Sequence, residues 1–167
     1  MPITYDNIAT TTLGGSATSI NFSSIPSTYT DLRVVARIST SASMYLNGRF
    51  NGSSVLAYSE TTVYGTGSSA LSTRHNPYTL WQIEPIILDT ANQFLFTMDI
   101  FSYASTSINK TFLQTFSGDK NGSGQAYFSV GRWNDTSAIN ALSLFFDNVT
   151  ASFGAGTTVT LYGIKAA

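Results

Sequence analysis

The sequence predicts an all-β protein, an antiparallel two-sheet β-sandwich of jelly-roll-like type. A single domain covers residues 1–167, with a short amino-terminal arm over about residues 1–7. Three observations carry this. Apolar and polar residues alternate with the two-residue period of strands along nearly the whole chain. Turn residues recur at roughly 8–12-residue intervals. No stretch holds a convincing helical period. At 167 residues, the chain is long enough to bury roughly 68–70% of its unfolded surface without a metal or disulfide.

The elements follow in order. Ile3-Thr4-Tyr5 and Ile8 open the chain, and Ile20-Asn21-Phe22 follows, closed by Ile25-Pro26-Ser27. Leu32 to Ile38 alternates cleanly, with Arg33 and Arg37 on one face. Met44 to Phe50 is the next strand; its internal Asn47-Gly48 allows instead a tight hairpin between two very short strands. Asn51-Gly52 supplies a further turn. Val55 to Tyr64 and Tyr78 to Leu88 are strands separated by the flexible Gly65-Thr66-Gly67-Ser68-Ser69-Ala70 loop. Phe94 to Phe101 and Lys110 to Phe116 are linked by the Ser/Thr-rich Ala104–Asn109 segment. The turn Asp119-Lys120-Asn121-Gly122-Ser123-Gly124 then leads into Ala126 to Trp133. Ile139 to Phe146 and Val159 to Ile164 complete the set; within the former, Leu142 to Phe146 could pass as a buried helix turn, but its Phe content and flanks favour a central strand. Strands so poor in charge carry an edge-pairing risk, which a homo-oligomer, with a trimer favoured, or docking on a larger assembly would relieve.

Composition narrows the chemistry. Only 10% of residues are charged, against about 25% in ordinary globular proteins, while 46 are Ser or Thr. The absence of Cys excludes disulfides, thiol catalysis and Cys-type zinc sites. A net charge of −1 gives no basic face for nucleic acid. No apolar run approaches the ~20 residues of a membrane-spanning helix, and Met1 to Thr10 lacks the layout of a secretion signal. Six Asn-x-Ser/Thr sequons, at Asn21, Asn51, Asn109, Asn121, Asn134 and Asn148, would suggest glycosylation in a secreted eukaryotic protein; without a secretion signal and with so much Ser and Thr, chance is the better explanation.

Candidate reactive groups are few. His75, the single histidine, stands beside Asn76-Pro77 in an expected loop, and no Gly-x-Ser-x-Gly elbow accompanies it. A glycosidase would need two carboxyls facing across a cleft; Glu60 and Glu84 are the pair to consider, though each has Arg33 or Arg37 as an alternative partner. Asp119-x-Asn121-x-Ser123-Gly124 opens like a calcium loop, but Val130 stands where the bidentate Glu belongs. No catalytic residue, metal ligand or cofactor is therefore assigned. Tyr64, Tyr78, Trp81 and Trp133, with Tyr127, form a candidate aromatic platform for sugar rings, or else core and interface residues.

The closing segment 153–167, FGAGTTVTLYGIKAA, resembles the ending of a family of small tailed-bacteriophage virion proteins. Segments 8–13 (IATTTL), 22–35 (FSSIPSTYTDLRVV), 49–52 (RFNG), 109–111 (NKT) and 131–139 (GRWNDTSAI) are similar to family blocks in the same order. Together they span nearly the whole chain, although Tyr78 to Phe96 is more apolar than the family pattern. The resemblance implies a non-enzymatic virion structural protein, made in the host cytoplasm and placed on the virion surface. A capsid decoration (cement) or head-fibre protein bound to the major capsid protein is the leading expectation. A tail-fibre or tail-tip adhesin reading host glycans is the alternative, and a glycan depolymerase using Glu60 or Glu84 a third. Pro2, Ile3 and Tyr5 of the arm, or Ile86, Ile87 and Leu88, are the expected capsid-docking residues.

Overall fold

A computed structural model describes residues 4–165 apart from 43, 84–92, 120–123 and 148–149. Its elements are twelve strands: β1 (Tyr5–Thr12), β2 (Ser19–Phe22), β3 (Asp31–Ile38), β4 (Leu46–Phe50), β5 (Tyr58–Gly65), β6 (Ala70–Tyr78), β7 (Trp81–Ile83), β8 (Phe94–Phe101), β9 (Lys110–Asp119), β10 (Gly124–Trp133), β11 (Leu142–Phe146) and β12 (Thr158–Ile164). They form an eight-stranded sheet, ordered β1-β12-β3-β8-β9-β10-β5-β6, and a four-stranded sheet, ordered β2-β11-β4-β7. Every pairing is antiparallel. Early strands pair with late ones, β1 with β12, β2 with β11 and β5 with β10, which is the nested wrapping of a jelly roll.

The core lies between the sheets because alternate residues of each strand turn inward. β3 contributes Leu32, Val34, Ala36 and Ile38, and β8 contributes Phe94, Phe96, Met98 and Ile100; β11 answers with Leu142, Leu144 and Phe146. Several inward positions are glycines because an aromatic ring occupies their space. Trp81 lies over Gly48 and Phe112 over Gly131, each where a Cβ would stand.

Several expectations are corrected. Residues 5–7 are no free arm: Tyr5, Asp6 and Asn7 pair with Ile164, Gly163 and Tyr162. Asn47-Gly48 makes no hairpin: both residues are buried within the single continuous strand β4. The chain instead turns at Asn51 and Gly52, with φ of 53° and 65°. The Gly65–Ala70 excursion is short, closed by Thr66 N donating to Ser69 O at 3.0 Å. The strand beyond it therefore starts at Ala70 and carries His75 within it. Of the expected strand Tyr78 to Leu88, Trp81–Ile83 is β7 and residues 84–88 lie outside the described residues.

Candidate functional site

At the β10-β5-β6 end of the large sheet the usual patterning is inverted. β10 turns Tyr127, Ser129, Gly131 and Trp133 inward, and leaves Phe128 and Val130 on the outer face, 47% and 44% exposed. β5 turns Tyr58, Glu60 and Thr62 inward and leaves Val63 outside, 53% exposed. Val63 stands directly opposite Phe128, and Val130 opposite Leu113. Leu95 and Phe101 add exposed apolar surface on β8. Between them the outer face presents Thr61, Thr97, Thr111 and Thr115, with Thr97 and Thr115 joined by a 2.6 Å hydroxyl bond. Apolar side chains alternate with threonine on this face, which also carries Arg33, Asp99, Arg74 and Arg132, and such a patch is suited to binding another surface.

The inward half of this inversion is a polar cluster. Thr62 Oγ1 lies 3.0 Å from both Tyr127 OH and Ser129 Oγ. Tyr127 OH donates to Gln82 O at 3.2 Å, and the Gln82 and Asn47 side-chain amides meet at 2.8 Å. Gln82 N donates to both Glu60 carboxyl oxygens at 3.3 Å, tying β7 to β5 across the sheets. Burial pushes the Glu60 carboxyl up to about 8 despite that bond; an ionised carboxylate is costly where water is excluded. Glu60 therefore has neither Arg33 nor Arg37 as partner. Arg33 pairs with Asp99 at 3.2 Å, and Arg37 donates to Gly156 O at 3.3 Å. Glu84, the other half of the candidate carboxylate pair, lies outside the described residues.

The aromatic platform is not assembled. Trp81 is buried and stacked on Phe96 at 5.7 Å, and Trp133 is buried and stacked on Tyr58 at 6.2 Å. Tyr127 belongs to the polar cluster, and Tyr64 is half-buried at the end of β5. Tyr78 alone of the set is exposed, stacked on His75 with ring centroids 4.7 Å apart. Tyr5, also exposed, packs edge-on against Tyr162 at 6.2 Å. Pro2, Ile3, Ile86, Ile87 and Leu88 lie outside the described residues, as do residues 120–123 of the calcium-like turn. Among the described residues no three His, Asp or Glu side chains gather as a metal site.

Sequence reasoning missed the outer face. The signal was present in Ala126 to Trp133, where apolar residues occupy both parities; either face of that strand reads as the buried one.

No protein-family model and no curated protein matches the chain. Among solved structures it is similar to the galectin LEC-6 of Caenorhabditis elegans, at 11% identity and a TM-score of 0.33, over 98% of this chain and 96% of that one. A likeness at that level supports no inference about ligand or partner.

Proposed function

We propose that this protein is a non-enzymatic structural component of a tailed-bacteriophage virion, a capsid decoration or head-fibre protein that docks on the outer surface of the major capsid protein. The virion assignment rests on the sequence resemblance. The observation that supports a docking role is the inverted patterning of β5 and β10, which places Val63, Phe128 and Val130 in solvent while Glu60, Thr62 and Ser129 are buried. Apolar residues on a solvent face against the strand pattern are unfavourable unless a partner covers them. The apolar-and-threonine face is therefore the docking surface in this reading, ahead of Tyr5 and the segment around Ile86. Each copy is one of many on a symmetric shell, so modest contacts add through avidity.

Copy number decides between this reading and a tail-tip adhesin. A decoration protein is present in tens to hundreds of copies per particle, an order-of-magnitude expectation from shell symmetry, and a tip protein in a few. Quantitative gel densitometry of purified particles against the major capsid protein measures it, and a few copies per particle refutes the decoration reading. The adhesin reading has a narrower base, the exposed Tyr78–His75 stack on β6. It is tested by whether glycan arrays register binding that Tyr78→Ala abolishes.

A further inference from the structure

The large sheet ends on β6, and half of that edge carries none of the devices that keep sheet edges from pairing. The opposite edge, β1, has irregular pairing between Asn7 and Ala9 and bears Asp6. In the small sheet the edge strands β2 and β7 are four and three residues long. β6 spans nine residues. Its second half is guarded by Arg74, by Pro77 and by the register shift opposite Tyr58 and Glu60. From Ala70 to Thr73 it has no charge, proline or bulge, and natural sheets do not leave such an edge open without cover.

The free hydrogen-bonding groups can be located. Thr66 N donates to Ser69 O, so that opposed pair is a hydrogen-bonded one. Such pairs alternate with non-bonded pairs along an antiparallel ladder. Leu71 and Thr73 therefore bond to Tyr64 and Thr62 on β5. Ala70, Ser72 and Arg74 turn their N–H and C=O groups away from the sheet.

We propose that β6 pairs antiparallel with β6 of a second copy of this chain, centred on Ser72, so that two eight-stranded sheets become continuous. In this register Ser72 faces its own symmetry mate, and Ala70 faces Arg74 of the second copy. Arg74 is the one permanent charge on β6, so no like charges meet. Leu71, 47% exposed, lies beside Thr73 of the second copy on the other face and loses apolar surface to water. A self-pairing edge is two-fold by construction, where the sequence favoured a three-fold assembly. The paired segment is short, and an interface below about 1,200 Å² is characteristic of weak association. Crowding of copies on one surface would populate it. The pairing depends on the edge alone and stands whether or not the partner surface is a capsid.

Sedimentation velocity of the full chain tests this from about 10 μM to about 1 mM, the range that brackets weak association. A concentration-dependent monomer–dimer equilibrium is expected. Ala70→Asp places a carboxylate opposite Arg74 twice per dimer, and Ala70→Arg places a like charge there. Cross-strand charge pairs make these changes worth roughly a 2- to 30-fold tightening and weakening of Kd, respectively. Ser72→Pro deletes an outward N–H at the centre of the interface, and the dimer is lost. Should that variant fail to fold, the opposite responses of the two Ala70 variants decide. A native chain that stays monomeric throughout, forms trimers, or has a Kd indifferent to the sign of charge at position 70 overturns the proposal.

Discussion

Replacing Glu60 by Gln should remove a pH dependence of stability that the native chain carries. Glu60 is 4% exposed on β5 and receives the Gln82 N–H at 3.3 Å on each carboxyl oxygen. Burial raises its pKa from 4.5 to about 8. The folded state thus binds the proton more tightly than the unfolded state. The stabilisation is fully present below pH 4.5 and is lost as pH climbs through about 8. At about 1.4 kcal/mol per pH unit over that interval, the full span is roughly 5 kcal/mol. Water reaching the ionised carboxylate relaxes part of the penalty, so a loss of about 2–5 kcal/mol is expected. Glu60→Gln keeps an acceptor for Gln82 N and cannot ionise. Urea unfolding at pH 5, 7 and 9 should show the native midpoint falling relative to that of Glu60→Gln, with the variant the more stable at pH 9. Parallel midpoints for the two proteins over that range would refute the buried, protonated carboxyl.

Three further outcomes follow from the packing and the exposed face. Phe128→Ser with Val130→Thr should leave unfolding free energy within about 0.5 kcal/mol, as for ordinary surface changes, yet lower occupancy on particles in a co-sedimentation assay. Asn51 donates to Ala138 O at 2.8 Å and accepts from Asn140 N and Ala141 N at 2.9 and 3.1 Å, with φ of 53°. Asn51→Ala should therefore cost about 2–4 kcal/mol in chemical denaturation, and Asn51→Gly less, since glycine tolerates that φ. Gly131→Ala puts a methyl where the Phe112 ring lies, and a drop of about 1–3 kcal/mol in unfolding free energy is expected from overpacking.

Much of the architecture was legible because strand alternation is a local property. Leu32 to Ile38 and Phe94 to Phe101 read as strands and are strands, Arg33 and Arg37 share the face opposite the buried Leu32, Val34, Ala36 and Ile38, and Leu142 to Phe146 lies inside its sheet as expected. Where local signals compete, tertiary contacts decided. Asn47-Gly48 is a turn pair by propensity, but Gly48 is needed under Trp81 and Asn47 meets Gln82, so the strand runs through. Lys110 opens its strand as expected, but its burial is set by tertiary contacts, its ammonium donating to Ile108 O at 2.8 Å and Thr136 O at 3.1 Å.

The candidate site was less legible. Trp81 and Trp133 look alike in sequence whether they line a sugar site or a core, and only the opposing sheet shows that both are enclosed. For Ala126 to Trp133 the period announces a strand but not which face is inside, because both parities carry apolar residues. By itself, then, the sequence determined that this is an all-β, charge-poor chain, since composition and two-residue alternation are set one residue at a time. Which strands border one another, which edge stays open at β6, and why Glu60 is enclosed while Phe128 faces water were decided by the tertiary structure. Those depend on the nonlocal pairing of β5 with β10 and on how far the smaller sheet covers the larger.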